Sequence, residues 1–296
     1  MPPLNPSLGP DLLRHIARLE RARNSTVLVL AASHLDFELL PALYEQCRAL
    51  GKAERLDVVL HGRGGVVNAA RRIALLLRGH AARLGFIVPY HCQSAATLLT
   101  LCADEIVAGE LALFSPIDPL LGGADGSTFS GLDIKQFGDM AANWFGLDQE
   151  QARSESLALL CNSIFPPSLT AFYRSNLEIE QIAHELLATR IDAAGRDDAR
   201  LVRQLMAGYH SHNYAITGLE LAALGLPLRR DVEAEAVAWE ISTLLQDTVG
   251  GAQRASEDAP WFDALLATRD GVQLRRRHAS ALAPAWVPAT SDGAGP

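Results

Sequence analysis

Four apolar runs of strand length, alternating with stretches of helical spacing, most constrain what this chain can fold into. Residues 25–32 read STVLVLAA, 56–60 LDVVL, 85–89 GFIVP and 104–108 DEIVA. None alternates strictly between apolar and polar, so each is a strand buried on both faces, the mark of a parallel sheet rather than a half-solvated one. Residues 35–50, 66–77 and 94–102 carry helix-like apolar spacing, the first ending at Gly51, a residue suited to close a helix. Strand, helix, strand at such short spacing predicts β-α-β units around a mainly parallel sheet.

Beyond residue 113 the pattern changes. Residues 115–130 are rich in Gly, Pro, Asp and Ser and predict a loop over the sheet. Helical spacing then recurs around 133–145, 149–161, 167–190, 197–208, 217–224 and 231–247. Arg275-Arg276-Arg277 and the Pro/Ala/Gly-rich end predict a frayed tail. The expected organisation is a helical lead-in over 1–23, one α/β domain with a helical C-terminal half over 24–248, and a partly flexible extension over 249–296.

Composition excludes several classes. Of the 296 residues, 49% are hydrophobic and 20% charged, which excludes global disorder. The formal net charge is −8 and no basic tract stands out, which argues against a nucleic-acid binder. Residues 84–103 carry no charge and approach membrane-spanning length, but Pro89, His91, Gln93 and Ser94 interrupt their centre. Strand, turn and helix account for them better than a span. The first 25 residues hold no apolar run of signal-peptide length, so a cytoplasmic protein is expected. Cys47, Cys92, Cys102 and Cys161 form no C-x-x-C pair and read as reduced core thiols.

Two junctions could carry chemistry. Gly64-Gly65 ends one strand and opens a helix, where backbone N–H groups can approach negative charge closely. A plain tight turn explains the same pair. Ser94 ends the next strand, followed by the small residues Ala95 and Ala96. A serine there is a helix cap or, with free amides beside it, a nucleophile.

A nucleophilic serine needs a base. The chain holds 24 Arg and only two Lys, Lys52 and Lys135. A lysine kept against that bias can do what Arg cannot, which is lose its proton. Lys52 follows a helix-ending glycine and reads as a surface residue. Lys135 lies 41 residues after Ser94, past the Gly/Pro-rich loop. His210 and His212 are the alternatives, whereas His91 reads as a polar residue of the incoming turn. There is no H-x-x-x-H pair, P-loop or G-x-G-x-x-G, so neither a metal nor a nucleotide cofactor is expected.

Taken together, Gly64-Gly65, the run Ser94-Ala95-Ala96-Thr97, the stretch from Ala103 to Gly109 (ADEIVAG), Ser115-Pro116-Ile117-Asp118-Pro119 and the later SHNYAITGLELAALGLPL resemble the Clp protease/crotonase superfamily. The branch they are most similar to is that of signal peptide peptidase A-like and serine dehydrogenase proteinase (SDH-type) serine peptidases. The resemblance spans about residues 24 to 230. It implies a β-α-β spiral core and a serine peptidase acting on a peptide or protein substrate within a homo-oligomer. It further implies Ser94 as nucleophile, Lys135 as general base, the Gly65 and Ala95 amides as oxyanion hole, and Gly64, Ala96 and Asp118 at the substrate. Ala96 and Ser115 stand where relatives carry glycine, and many relatives have an N-terminal membrane helix. A crotonase-type acyl-CoA enzyme and a catalytically silent scaffold subunit are the alternatives.

Overall fold

The computed structural model describes residues 7–122, 128–191, 196–250, 259–277 and 285–288. The elements run α1 (Leu8–Arg23), β1 (Thr26–Ala32), α2 (Leu39–Leu50), β2 (Ala53–Gly62), α3 (Val67–His80), β3 (Ala81–Val88), β4 (His91–Cys92) and α4 (Ala95–Leu99). A 3-10 turn at Thr100–Cys102 leads into β5 (Glu105–Ala108), β6 (Leu113–Phe114), β7 (Leu120–Gly122) and β8 (Thr128–Ser130). Then come α5 (Gly131–Phe145), α6 (Gln149–Ser163), α7 (Pro166–Ala188), α8 (Asp198–Ala207), α9 (Gly218–Ala223), β9 (Leu228–Arg229) and α10 (Val232–Thr248). Three strands close the described chain: β10 (Trp261–Thr268), β11 (Gly271–Arg277) and β12 (Ala285–Pro288).

The main sheet has the order β12-β11-β10-β1-β2-β3-β5-β9, with β4 on β2 and β6 on β4. From β1 to β9 every pairing is parallel, as the continuous apolar runs predict. Successive residues of β1 serve opposite layers. Leu28 and Leu30 join a core with α2, α3, α4 and α7, and Val27 and Val29 join one with α1 and α10. The result is a sheet covered by helices on both faces, an α/β fold.

The C-terminal segment departs from the expectation of a frayed tail. Residues 261–277 and 285–288 are strands that extend the sheet antiparallel from β1. The physical reason is Arg275, which is fully buried. It donates through NH1 and NH2 to Asp36 at 2.7 and 3.0 Å and through Nε and NH2 to Asp263 at 2.8 and 2.9 Å. A run of arginines looks solvated in one dimension, yet its first member is an ion-paired core residue. The Pro/Ala/Gly-rich stretch 289–296 lies outside the described residues.

A second charged cluster ties the opposite end of the sheet together. Arg23 donates to Asp57 at 3.1 Å, Asp231 at 2.6 Å and Glu105 at 2.5 Å, while Arg55 reaches both Asp57 and Glu105. Gly85 has to be glycine beside it, since a Cβ there would lie 2.1 Å from Asp57 Oδ1. Cys47, Cys92 and Cys102 are buried, as expected of core thiols, but Cys161 on α6 is exposed.

Candidate active site

The carboxyl ends of β2 and β4 bring the two singled-out junctions together. Gly62 pairs with Cys92, and Gln93 N donates to Gly62 O at 3.1 Å. Gly64 and Gly65 follow one strand and Ser94 follows the other. Open α/β sheets offer such carboxyl-end crevices for ligands.

Both glycines are required by their surroundings. Gly64 has φ +106°, and a Cβ there would sit 2.9 Å from Ser94 Cβ. Gly65 has φ +145°, and a Cβ there would be 2.3 Å from the Leu35 carbonyl oxygen. The reason for that tightness is a bridge to the 33–36 segment: Leu35 N donates to Gly64 O and Val66 N to Leu35 O, at 2.8 and 2.7 Å.

Ser94 is strained. Its φ of 52° and ψ of −119° place an L residue where side chains rarely go. It is held by its own amide, which donates to Ser115 Oγ at 2.7 Å, while Ser115 N donates to Thr97 Oγ1 at 3.1 Å. Ser115, which stands where relatives carry glycine, thus anchors the serine turn. The amides of Leu35, Val66, Gln93, Ser94, Ala96 and Leu98 are engaged in these turns. Those of Gly65 and Ala95 are engaged by none of these bonds.

A cavity of about 450 Å³ opens here. Gly64, Gly65, Ser94 and Ala95 line it together with Asp118, His212 and Ser115. Arg63, His34 and Glu178 add charge or polarity, and Val67, Leu98, Ile117 and Ile179 an apolar wall. Two expected residues lie elsewhere. Ala96 is fully buried behind the turn, 3.6 Å from where a Gly62 Cβ would be. Lys135 is exposed on α5 and borders no part of the cavity. His210 lies in a neighbouring groove.

The contact that spacing could not reveal is between Asp118 and His212, 94 residues apart. Asp118 is buried, and its carboxylate accepts from His212 Nδ1–H at 2.9 Å and from the Ser130 hydroxyl. Behind the turn, His61, Tyr90 and His91 form an aromatic block, with Tyr90 and His91 ring centres 4.0 Å apart. Burial, helped by the His91 and Arg63 charges, pushes His61 down to about 4. Burial and Arg63 also lower His91, against the hydrogen bond it donates to Gln93 Oε1, which raises it. Among the described residues no group of three His, Cys, Asp or Glu side chains could hold a metal ion. Nor is any helix among them long and apolar enough to cross a membrane.

Residues 13–135 match the model of the ClpP-like SDH-type serine proteinase family. That is the family the motifs resemble. The matched stretch takes in Gly64-Gly65, Ser94 and Asp118 and ends on Lys135, whereas His212 lies beyond it. Two curated relatives are the uncharacterized proteins MJ0137 and MJ1495 of Methanocaldococcus jannaschii. The first is 27% identical over 237 residues, covering 75% of this chain and 75% of that protein. The second is 25% identical over 252 residues, covering 80% and 77%. A solved 1510-N membrane-bound stomatin-specific protease, in complex with a substrate peptide, is 17% identical with a TM-score of 0.38, covering 67% of this chain and 69% of its own. The α/β assignment stands on the sheet order itself.

Proposed function

We propose that the chain is a serine peptidase with Ser94 as its nucleophile. The observation that carries the reading is the strained backbone of Ser94, held at a cavity wall against two residues that only glycine can supply. Strain of this kind persists only where the surroundings over-determine it, and it concentrates at functional sites. Ser94 Oγ attacks the peptide carbonyl, and the developing oxyanion takes hydrogen bonds from the Gly65 and Ala95 amides. Gly64 lets the substrate backbone approach, Asp118 borders it, and Ala96 supports the turn from behind.

The resemblance implies Lys135 as the base, a neutral amine that takes the Ser94 proton. Its spacing of 41 residues from Ser94 supports that role, and its exposed place on α5, outside the cavity lining, speaks against it. The exposed apolar side chains Trp144, Phe145, Leu157 and Leu159 on α5 and α6 support self-assembly into a homo-oligomer. Light scattering at two protein concentrations reads the assembly directly.

A fluorophosphonate probe tests the nucleophile without knowledge of the substrate. Intact and peptide mass spectrometry should find one adduct, at Ser94, absent from Ser94→Ala. A protein that stays unlabelled, or labels equally in Ser94→Ala, contradicts the reading and returns weight to a silent scaffold subunit.

A further inference from the structure

A second cavity opens on the opposite rim of the sheet from Ser94. It holds about 440 Å³ and lies at the amino ends of three neighbouring parallel strands. Arg83 comes from the start of β3, Asp104 directly precedes β5, and Pro227 directly precedes β9. Arg190 and Arg196 close the cavity from just beyond α7, and Arg190 is buried. Three guanidiniums thus line one space in a chain of net charge −8, with a single carboxylate among them.

That carboxylate already has its partners. Asp104 is buried, its Oδ2 accepting from Arg78 NH1 and from Leu84 N at 2.8 Å, its Oδ1 from Ile191 N at 2.9 Å. Arg78, which does not line the cavity, also donates to Ala81 O and Ala82 O at 2.8 and 2.7 Å. The architectural work of joining α3 to the starts of β3 and β5 therefore falls to Arg78. Arg83 approaches Glu105 at 3.6 Å, a carboxylate it shares with Arg23, Arg55 and Arg229. Arg196 donates to Leu187 O at the end of α7 and to Asp198, at 3.2 and 3.3 Å. Among the described residues, the wall of this cavity carries more positive charge than negative.

We propose that this cavity binds a small oxyanion of two or more negative charges, carried on phosphate or carboxylate groups. A planar guanidinium fork meets either group through two parallel N–H···O bonds, and a recessed positive site concentrates such anions. The volume lies in the range of small-molecule pockets, and no aromatic ring lines it, so charge rather than a flat ring is what it selects. Bound there, the anion ties the end of α7 to the start of β3. The same helix carries Ser175, Glu178 and Ile179 into the wall of the Ser94 cavity. The proposal does not depend on Ser94 being a nucleophile.

Isothermal titration calorimetry of the full-length protein, at an ionic strength of about 0.05 M, reads the site with pyrophosphate in one arm and citrate in the other. At least one should bind once per chain with Kd below about 1 mM, and the tighter of the two says whether phosphate or carboxylate is the recognised group. A saturating amount of that probe should raise the melting temperature by about 4 °C. Arg83→Gln, at a half-exposed side chain, and Arg196→Gln should each weaken binding by about tenfold or more while keeping the wild-type near-ultraviolet circular dichroism. Arg203→Gln, exposed on α8 and outside the lining, should bind as wild type does. Neither probe binding below about 10 mM overturns the proposal. So does binding that survives both cavity substitutions, or that Arg203→Gln weakens equally, because the anion is then held by surface charge at large.

Discussion

Ser94 sits in a conformation that costs about 1–3 kcal/mol for a residue with a side chain. Ser94→Gly should therefore be more stable than Ser94→Ala by about 1 kcal/mol, the strain relieved less the extra chain entropy of glycine. Paired urea titrations read the difference, and equal midpoints would mean that the turn carries no strain. The opposite sign belongs to Gly65→Ala. Its Cβ would meet the Leu35 backbone at 2.3 Å, so a loss of about 3 kcal/mol is expected in the same titration. At this scale the sequence was legible in part. Paired glycines and a serine before small residues mark both turns, but the anchoring Ser115 hydroxyl reads as nothing more than a polar loop residue. Asp118 and His212 are legible as residue types and not as a pair, because no local pattern encodes a contact across 94 positions.

At the scale of elements, the strand behind the first turn carries a titrating group. The folded His61 is held near 4 against 6.5 for a free imidazole. Protons therefore bind the unfolded chain first, and the stability this group confers, complete above about pH 6.5, is lost as pH falls toward 4. His61→Asn should flatten that part of the stability curve. Glu105, which burial would raise but Arg23 and Arg55 hold below its ordinary value, acts lower, below about pH 4. Among the C-terminal helices, α6 packs chiefly on α5 and presents Leu157, Leu159 and Cys161 to solvent. A native-state thiol-alkylation experiment should modify Cys161 alone, leaving Cys47, Cys92 and Cys102 protected by burial. The parallel strands were readable because two-sided burial writes itself as unbroken apolar runs. The strands after residue 260 were not, since three of the seven residues of β11 are arginine.

For the molecule as a whole, the first and last parts of the chain are joined through one buried cation. Removing Arg275 leaves the buried Asp263 and its neighbour Asp36 with Arg277 as their one remaining ion-pair partner among the described residues, so Arg275→Ala should lose about 3 kcal/mol in chemical denaturation. A cost within about 1 kcal/mol would show that water reaches the pair. Cutting the chain before β10 would bare the long edge of β1, an apolar strand with no partner on that side and a template for aggregation.

The bridge between Leu35 and the Gly64-Gly65 turn gives this closure a meaning in time. Ser33 N donates to Asp263 O, Asp36 is gripped by Arg275, and between them Leu35 holds the glycine turn in place. During synthesis the glycines, Ser94 and His212 all leave the ribosome before the strands that brace this segment. A growing chain thus carries every proposed reactive group while the turn that would receive the oxyanion still lacks its outer support. If the chain is the peptidase proposed, its oxyanion turn stays unbraced beside its own nascent polypeptide until β10 and β11 have been made.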